Sequence, residues 1–299
     1  MKVVNALTVD VEDYFQVSAF EGCVDRDRWD DYPLRVERNT RRILELLEKR
    51  GVRGTFFVLG WVARRCPGLV REIRRAGHEV ACHGYGHQRV NLLGRTAFRD
   101  DIRVSKALLE DLTGEAVLGY RAPSYSIAHG THWAFDELAE AGYRYDSSVF
   151  PVRHDLYGIP DWPRFPFLLR RGTERWEPVP GESPILFGGE SGGDLVEFPI
   201  TTLSLFGMGI PIAGGGYFRF FPYGFTKWGL NRINSGEGRP FVFYLHPWEL
   251  DPEQPRMAGA GAKSRFRHYL NLDKTQARLV RLLGDFGFGR LRDLLDAPA

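Results

Sequence analysis

The sequence predicts an α/β fold in which parallel strands alternate with crossover helices, arranged as a barrel or as an open sheet. Two observations support this prediction. Short apolar runs alternate with longer amphipathic stretches through the first half of the chain. Proline and glycine punctuate the amphipathic stretches as they punctuate helices, with Pro33 in a first turn and Gly51 just past an end. Strands and helices that alternate at this spacing form parallel sheets.

Strand and helix predictions follow one another up to residue 145. The predicted strands cover residues 3–9, 54–59, 79–82, 116–120 and 143–145. The predicted helices cover residues 33–50, 67–76, 96–112 and 131–141. A chain of 299 residues organised in this way is long enough to bury a substantial core.

The pattern changes after Ser147. Residues 151–184 contain seven prolines and several aromatic residues, which predicts a long insertion with little regular structure. Glycine-rich segments follow at 188–193 and 207–216. We expect this region to shape a substrate groove. Regular structure returns with predicted strands at 195–198 and 241–245 and predicted helices at 223–234 and 273–286, the last with Gln276 placed for a capping box.

Composition excludes several classes of function. The formal net charge is +2 and both signs are interspersed, so the chain has no electrostatic footprint for nucleic acid. Three widely spaced cysteines predict neither a disulfide framework nor a CxxC site. No stretch approaches the ~20 apolar residues that span a bilayer, and the first apolar run is too short for a signal peptide. We therefore expect a cytoplasmic protein, with peripheral contact to the inner membrane left open.

Reactive side chains fall at the ends of the predicted strands. Asp10, His83, Arg121, Asp146 and His246 each lie at or just past the carboxyl end of one strand. In α/β barrels the active site is built at this rim, because the loops that leave it converge over one pocket. Five such coincidences predict a catalytic site there.

Two of these segments have the composition of a metal site. His83 and His87 are four residues apart, so their imidazoles can face the same way on one helical turn. Asp10, Glu12 and Asp13 place three carboxylates in four residues, a costly concentration of negative charge unless a cation or a proton neutralises it. Two histidines and one carboxylate would hold a metal ion and leave a position open for water.

Five short motifs occur in order along the chain: Thr8-Val9-Asp10, His83 with His87, Arg121-x-Pro123-x-Tyr125, Asp146 before Ser147 and Ser148, and Leu245-His246. In this order they resemble the motifs of the polysaccharide deacetylase family, also called the NodB-homology domain or carbohydrate esterase family 4. The match covers roughly residues 3–150 and 195–290. The segments DVEDYF at 10–15, GGGYFR at 214–219 and RHYLNLDK at 267–274 resemble a narrower branch found with bacterial exopolysaccharide and exosortase-linked gene clusters.

The resemblance implies a single domain, residues 1–299, that folds as a distorted parallel (β/α)7-type barrel. A long irregular insertion lies at about 151–194 and a branch-specific C-terminal part at about 200–295. One divalent metal ion, usually zinc, with cobalt, manganese, nickel or iron as alternatives, would sit at the mouth, polarise the substrate carbonyl and lower the pKa of water.

The resemblance also implies roles for individual residues. Asp10 would be the general base and His246 the general acid. The backbone N–H of Tyr125 would help stabilise the oxyanion. Arg121 would hold Asp10, and Asp146 would lie outside the residues that contact substrate or metal.

One departure from the family pattern leaves the third metal ligand open. The usual metal aspartate directly follows the base, and this chain has Val11 there. Glu12 and Asp13 are the alternatives for binding the metal with the two histidines, and Glu12 is slightly favoured.

The predicted substrate is an acetylated glycan. Tyr217 and Trp248 lie in or beside motifs and are predicted to stack on sugar rings, and Arg219 is predicted to contact an anionic or lipid-linked glycan. The predicted reaction removes acetyl groups, in the first place N-acetyl, from a polysaccharide or its lipid-linked precursor in exopolysaccharide biosynthesis. An amidohydrolase acting on a small cyclic imide or ureide, and a glycan-binding pseudoenzyme without turnover, are the alternatives. The sequence leaves open the sugar, the choice between N- and O-acetyl, and the oligomeric state.

Overall fold

The structure, a computed structural model, describes residues 3–154, 157–173, 175–179 and 194–295. The glycine-rich segment 188–193 and part of the expected insertion lie outside the described residues. The described strands are β1 Val4–Val11, β2 Thr55–Val58, β3 Glu79–Cys82, β4 Gly119–Tyr120, β5 Tyr145–Asp146, β6 Phe167–Arg171, β7 Trp176–Pro178, β8 Leu195–Glu197, β9 Thr202–Leu205, β10 Met208–Pro211, β11 Val242–Leu245 and β12 Gly287–Gly289. The described helices are α1 Val36–Arg50, α2 Gly60–Arg65, α3 Pro67–Arg75, α4 Val90–Leu93, α5 Arg95–Thr113, α6 Trp133–Glu140, α7 Gly215–Phe220, α8 Tyr223–Asn231, α9 Ala262–Tyr269, α10 Leu272–Asp285 and α11 Leu291–Leu295.

Parallel strands form the centre of the fold, in the order β11-β1-β2-β3-β4-β5-β8. This confirms the predicted α/β class with a mostly parallel sheet. The strands β6 and β7 extend the sheet antiparallel beyond β8, and β12 pairs with β1. Within the described part of the chain the hydrogen-bonded path runs from β11 to β7 without closing, so barrel closure is not seen there.

The strand β1 is buried on both faces, as is typical of a parallel strand covered by helices. Its residues from Asn5 to Val11 are all buried. The helix α1 contributes Ile43 and Leu47 to the main core and ends at Gly51, whose φ of 62° gives a left-handed C-cap. Because β1 lies between β11 and β2 in parallel register, the carboxyl ends of all three strands meet at one edge of the sheet.

The insertion is more regular than the sequence predicts. Residues 151–184 were expected to have little regular structure, yet β6 and β7 form an antiparallel pair and β6 also pairs with β8. Four of the seven prolines lie at or before Pro166, and the buried run Phe167–Leu169 that follows them inserts into the sheet edge. The prediction is therefore wrong for this part of the insertion.

The second half also contains elements that the sequence did not predict. The strands β9 and β10 form a separate hairpin, and α7 and α9 occupy segments with no clear apolar period. The helix α10 begins after Asn271, which has a φ of 52° and makes no side-chain cap, so the predicted capping box with Gln276 is wrong. Within the described ranges, no helix has both the length and the apolar character that a membrane crossing requires.

Candidate active site and metal centre

The predicted site residues meet at the carboxyl edge of the parallel sheet. Asp10 is the second-last residue of β1. β3 ends directly before His83, β4 directly before Arg121, and β11 directly before His246. The parallel register of these strands brings their ends to one edge because each strand is offset little from its neighbour. The rim predicted from the sequence is thus present in the fold.

Three buried side chains form a candidate metal centre. One ligand atom from each of Glu12, His83 and His87 lies within 4.8 Å of the others. His83 Nδ1 donates to the backbone oxygen of Arg121 at 2.8 Å, because a carbonyl can only accept. This bond fixes the tautomer and leaves His83 Nε2 with a free lone pair, as is typical of metal-binding histidines.

The two remaining ligands also leave lone pairs unused. Trp248 Nε1 donates to Glu12 Oε1 at 3.1 Å, which orients the carboxylate. Glu12 Oε2 lies 2.8 Å from His87 Nε2, yet this buried oxygen has no hydrogen-bond partner of acceptable geometry among the described residues. A buried anionic oxygen without a partner is expensive unless a cation occupies the space in front of it.

The protonation states suit a cation. Burial opposes ionisation of Glu12, but the charges of His87, His246 and His83 outweigh burial and lower the pKa of this carboxyl to about 2. Burial lowers the pKa of His83 to about 4, so its imidazole is neutral near pH 7. An anionic carboxylate and a neutral imidazole are the forms that bind divalent metal ions. The residues present therefore fit a divalent cation.

The loop between the two histidines is held from outside the motif. Both carboxylate oxygens of Asp101, on α5, accept from the backbone N–H of Tyr85, at 3.0 and 3.1 Å. Arg26 donates to the backbone oxygens of Gly86 and His87. His87 itself has a φ of 50°, a strained conformation for a residue with a side chain, and strain of this kind concentrates at functional sites.

Asp13 is not available as a ligand. Its Oδ2 accepts from the backbone N–H groups of Arg35 and Val36, at 2.7 and 2.9 Å, and its Oδ1 accepts from Tyr14 N at 2.9 Å. The carboxylate therefore satisfies the free N–H groups at the start of α1. Of the two alternatives left open by the sequence, the structure brings only Glu12 to the histidines.

Asp10 is held in a buried ion pair. Arg121 Nη1 donates to Asp10 Oδ1 at 2.7 Å and to Thr8 Oγ1 at 2.8 Å. Arg121 is fully buried, and its guanidinium lies over the ring of Phe57 at 4.1 Å. The arrangement leaves Asp10 Oδ2 facing the rim, 3.5 Å from Tyr125 Oη and 3.8 Å from His246 Nε2. This contact between Arg121 and Asp10 is the one that the resemblance implies.

The backbone N–H of Tyr125, expected to stabilise the oxyanion, has another partner in this structure, and its catalytic role stays a prediction. Its backbone N–H already donates to the oxygen of Ala122 at 3.0 Å, within the 3-10 turn Pro123–Tyr125. Ser124 and Tyr125 have φ values of 55° and 54°. This strained turn presents the side chain of Tyr125 to Asp10 and keeps its N–H occupied.

His246 is supported by a carboxylate that the sequence analysis missed. His246 Nδ1 donates to Glu249 Oε1 at 2.7 Å, and Arg219 Nε donates to Glu249 Oε2 at 2.6 Å. Burial lowers the pKa of His246, but the negative charges of Glu12, Glu249 and Asp10 outweigh burial and raise this pKa to about 9. The His246 side chain is 17% exposed, more open than the other site residues, and its Nε2 lies 3.6 Å from Glu12 Oε1. The spacing of three residues between His246 and Glu249 was a signal that could have found this partner.

Two predicted substrate contacts are wrong. Arg219 is buried and also donates to the backbone oxygens of residues 267, 268 and 270, which leaves its guanidinium enclosed within the protein. Trp248 is buried between His246 and His268, with ring centroids 5.1 and 4.1 Å away. Arg219 holds Glu249, and Trp248 stacks on His246, so both side chains support the site from inside the protein. Tyr217 is half-buried beside Tyr157, and its role as a sugar contact stays a prediction.

Asp146 touches neither Asp10 nor Arg121. Its carboxylate accepts from Ser148 N at 3.0 Å and from Ser148 Oγ at 2.6 Å. These hydrogen bonds run to the turn that follows Asp146, and its indirect role in the site stays a prediction.

Family models match both halves of the chain. A family model described as "Polysaccharide deacetylase" matches residues 28–145, and one described as "Domain of unknown function (DUF3473)" matches residues 147–296, about half of the chain. Residues 28–145 belong to the polysaccharide deacetylase family. The second match covers the half that resembles the exopolysaccharide-associated branch of this family.

Individual relatives match over shorter ranges. A peptidoglycan deacetylase of Helicobacter pylori is 29% identical over 161 residues, which are 53% of this chain and 51% of that protein. A chitooligosaccharide deacetylase of Sinorhizobium fredii is 33% identical over 100 residues, 33% of this chain and 44% of that protein. The chain thus spans about half or less of the length of these relatives.

Two solved structures share the fold over nearly the whole chain. A protein from Mycobacterium smegmatis assigned to the polysaccharide deacetylases superposes with a TM-score of 0.59 at 20% identity, covering 99% of this chain and 93% of the other. An allantoinase superposes with a TM-score of 0.58 at 17% identity, covering 97% and 88%. At these identities the likeness shows a common fold.

Proposed function

We propose that this chain is a metal-dependent hydrolase that removes N-acetyl groups from a glycan. One observation carries the proposal: ligand atoms of Glu12, His83 and His87 lie within 4.8 Å of one another, and His246 Nε2 lies 3.6 Å from Glu12 and 3.8 Å from Asp10. A site with three protein ligands and a carboxylate and an imidazole beside it is typical of hydrolytic metal centres, whereas structural metal sites close the fourth position with protein. Glycan deacetylation is the activity for which the curated relatives are named.

The reaction follows from the positions of the two titratable side chains. Water adds to the acetamide carbonyl, and Asp10 Oδ2 takes its proton while Arg121 holds Oδ1 in place. The carbon–nitrogen bond then breaks, and His246 Nε2, protonated near neutral pH, gives its proton to the departing amine. The products are acetate and a free amine. A bound divalent cation would supply polarisation of the carbonyl and a lower pKa for water.

A polar groove beside the metal loop supports a polymeric substrate. The groove has a volume of about 890 Å³ and is lined by Trp61, Tyr85, Gly86, Gln88 and most of the segment 21–30. Gly86 and Gln88 are the neighbours of His87 in the sequence, so the groove lies beside the loop that carries this residue. A space of this size exceeds the needs of a small cyclic imide or ureide. We propose that an exopolysaccharide or its lipid-linked precursor is the glycan, and that zinc is the cation.

The proposal is tested by acetate release from N-acetylated oligosaccharides of increasing length, with a cyclic imide and a ureide as competing substrates. We expect chelator to abolish release, zinc or cobalt to restore it, and the rate to rise with oligosaccharide length. Acetate release that chelator does not change would contradict the metal-dependent mechanism. Turnover of the imide or ureide alone would identify an amidohydrolase, and tight glycan binding without turnover would identify a pseudoenzyme.

A further inference from the structure

Two buried carboxyl groups lie side by side where β5 and β8 end. Asp146 and Glu197 are directly paired in the parallel register of these strands, and both are fully buried. Among the residues that the structure describes, neither carboxyl takes part in a salt bridge. Two carboxylates in contact inside a protein cannot both be ionised at acceptable energy, so the pair must hold a proton.

The hydrogen bonds indicate which carboxyl carries that proton. Asp146 accepts twice from Ser148, through N–H and Oγ–H, as an ionised carboxylate does. Glu197 Oε1 accepts from Val149 N at 2.9 Å, but its buried Oε2 accepts no hydrogen bond from any donor among the described residues. A proton on Glu197 Oε2 gives this orphan atom a role, because it can then donate to Asp146. Burial and the adjacent negative charge of Asp146 raise the pKa of Glu197 well above its ordinary value.

Few other charges act on the pair. Arg121, after β4, lowers the pKa of Glu197, and Tyr120 lies close enough for the charge of Asp146 to raise the pKa of its hydroxyl. On the other side, β6 places the uncharged Phe167 directly opposite Glu197. The shared proton therefore depends mainly on the two carboxyl groups themselves.

The turn that follows Asp146 connects the pair to the catalytic site. Ser148 Oγ donates to Asp146 and accepts from the backbone N–H of Ala122, at 2.8 Å. Ser147 accepts two bonds from Arg121: its Oγ from Nη2 at 2.8 Å and its backbone oxygen from Nε at 3.1 Å. Arg121 in turn holds Asp10 Oδ1. The turn is thus fastened to the carboxyl pair on one side and to the Arg121–Asp10 ion pair on the other.

We infer that Glu197 is a positioning residue, whose protonated carboxyl holds Asp146 and, through Ser147 and Ser148, fixes the orientation of Arg121 and Asp10. The inference rests on the proposed function, because it takes Asp10 as the base. Glu197 lies outside the five motifs, on β8 of the second half, and yet it would determine how accurately Asp10 of the first half is oriented.

The test compares Glu197→Ala with Glu197→Gln in the full chain. Alanine removes the donor and leaves Asp146 buried without it, and we expect kcat to fall ~10- to 100-fold with KM and metal content nearly unchanged, since a small misplacement of a catalytic group can lower the rate by about that much. Glutamine can donate to Asp146 and accept from Val149, so it should restore kcat to within about twofold. A folded Glu197→Ala protein with the wild-type kcat would overturn the inference, as would a Glu197→Gln protein as slow as Glu197→Ala.

A second variant and a matched control keep the test decisive. If Glu197→Ala does not fold, Ser148→Ala interrupts the same connection at a smaller side chain and should lower kcat in the same way; an unchanged kcat there would also overturn the inference. Glu79→Gln is the control. Glu79 is another buried carboxyl with a pKa raised by burial, but it lies at the opposite end of β3, bonded to Thr55 and the backbone of Arg292. We expect Glu79→Gln to leave kcat unchanged.

The shared proton has its own readout, which does not depend on the reaction. The folded protein keeps the proton on Glu197 while the unfolded chain releases it above the ordinary pKa of glutamate, so the wild type loses stability as pH rises from that value. Glutamine has no proton to lose. The thermal midpoint of Glu197→Gln should therefore exceed that of the wild type by a margin that grows with pH. A difference in thermal midpoint that does not change with pH would contradict the assignment of a shared proton to Glu197 and Asp146. This result would hold even if the wild type proved to have no deacetylase activity.

Discussion

The two sides of the candidate site come from different halves of the chain and are built in different ways. The metal side belongs to the first half, where β1 and β3 deliver Glu12, His83 and His87 within short, ordered motifs. The acid side belongs to the second half, where His246 depends on Glu249 and Arg219, which are 30 residues apart in the chain. The histidine pair of the first side is predictable from local spacing, whereas the second side depends on the tertiary contact between Arg219 and Glu249.

The difference follows from what each side must do. Metal ligands must direct lone pairs to one point, and residues on adjacent strand ends can do so with local spacing alone. A general acid must be held in one orientation and in its charged form, which needs an anion and further groups to hold that anion. Here Arg219 holds Glu249 and is itself fixed by three backbone oxygens near α9 and α10. The two sides meet at Glu12, whose Oε1 accepts from Trp248 of the second half.

Removing the carboxylate ligand should have the largest effect on the metal side. In Glu12→Gln the amide oxygen would turn to Trp248 Nε1, which needs an acceptor, and the amide N–H₂ would then face the cation. We expect metal affinity to fall by more than the ~10- to 100-fold typical of changes behind a ligand, with activity lost in parallel. Metal content by elemental analysis and acetate release measure the two effects.

The neighbouring residue is the matched control for this variant. Asp13→Asn should keep the metal, because Asp13 caps α1 and lies outside the ligand set. It should lower the thermal midpoint instead. Metal loss in Asp13→Asn together with retention in Glu12→Gln would reverse the assignment of the third ligand.

Replacing the base should separate chemistry from metal binding. Asp10→Asn keeps an acceptor for Arg121 but removes the group that takes the proton from water. We expect kcat to fall ~100- to 10,000-fold, the usual contribution of a general base, with metal content unchanged. Loss of metal from the Asp10→Asn protein would show that Asp10 is a ligand.

The extent of prediction from sequence follows the same division. The five strands and the four longest helices up to residue 145 were predicted because of their apolar periods and their proline or glycine boundaries, whereas the short helices α2 and α4 were not predicted. The histidine pair was predicted because its spacing is local. The sequence favoured Glu12 over Asp13 only slightly, because the choice depends on where α1 begins in space: its free N–H groups meet Asp13 across 22 residues of chain.

Predictions in the second half were weaker because the residues there act through distant partners. Arg219 and Trp248 were assigned to substrate because arginine and tryptophan often serve that purpose, yet both are buried behind His246. The strand β6 was missed because prolines surround it and its partners, β7 and β8, are brought to it by the fold. No local pattern in the sequence encodes these contacts.

Removing the support of the acid should have a smaller effect than removing the base. Glu249→Ala leaves His246 without its Nδ1 partner and Arg219 without its counter-charge. We expect kcat to fall ~10- to 100-fold, part of the full contribution of a general acid, with metal content unchanged. Glu253→Ala, at a nearby surface carboxylate, is the control. A wild-type kcat in Glu249→Ala would show that His246 does not need the hydrogen bond to Glu249 to act as the general acid.

The smallest effect on activity is expected at the contact that joins the two halves. Asp251 lies after the 3-10 turn that follows His246. It accepts from Arg35 Nε, just before α1, at 2.5 Å, and from Asn39 Nδ2, within α1, at 3.1 Å. Burial opposes its ionisation, but these bonds and the charges of Arg35 and Arg38 lower the pKa of Asp251 to about 2. The stabilisation is complete above the ordinary aspartate pKa and is lost as pH falls toward about 2.

Asp251→Asn should therefore lower the free energy of unfolding at pH 7 by about 2 kcal/mol and change kcat little. The difference from the wild type should shrink below about pH 4, where the wild-type carboxyl begins to take up a proton. The exposed pair of Asp31 and Arg28 provides the control, because Asp31→Asn should change stability much less than Asp251→Asn. Denaturant unfolding at several pH values measures both. A large fall in kcat for Asp251→Asn at full metal occupancy would mean that the junction between the halves also sets the geometry of the site, so that the metal side and the acid side are not independent.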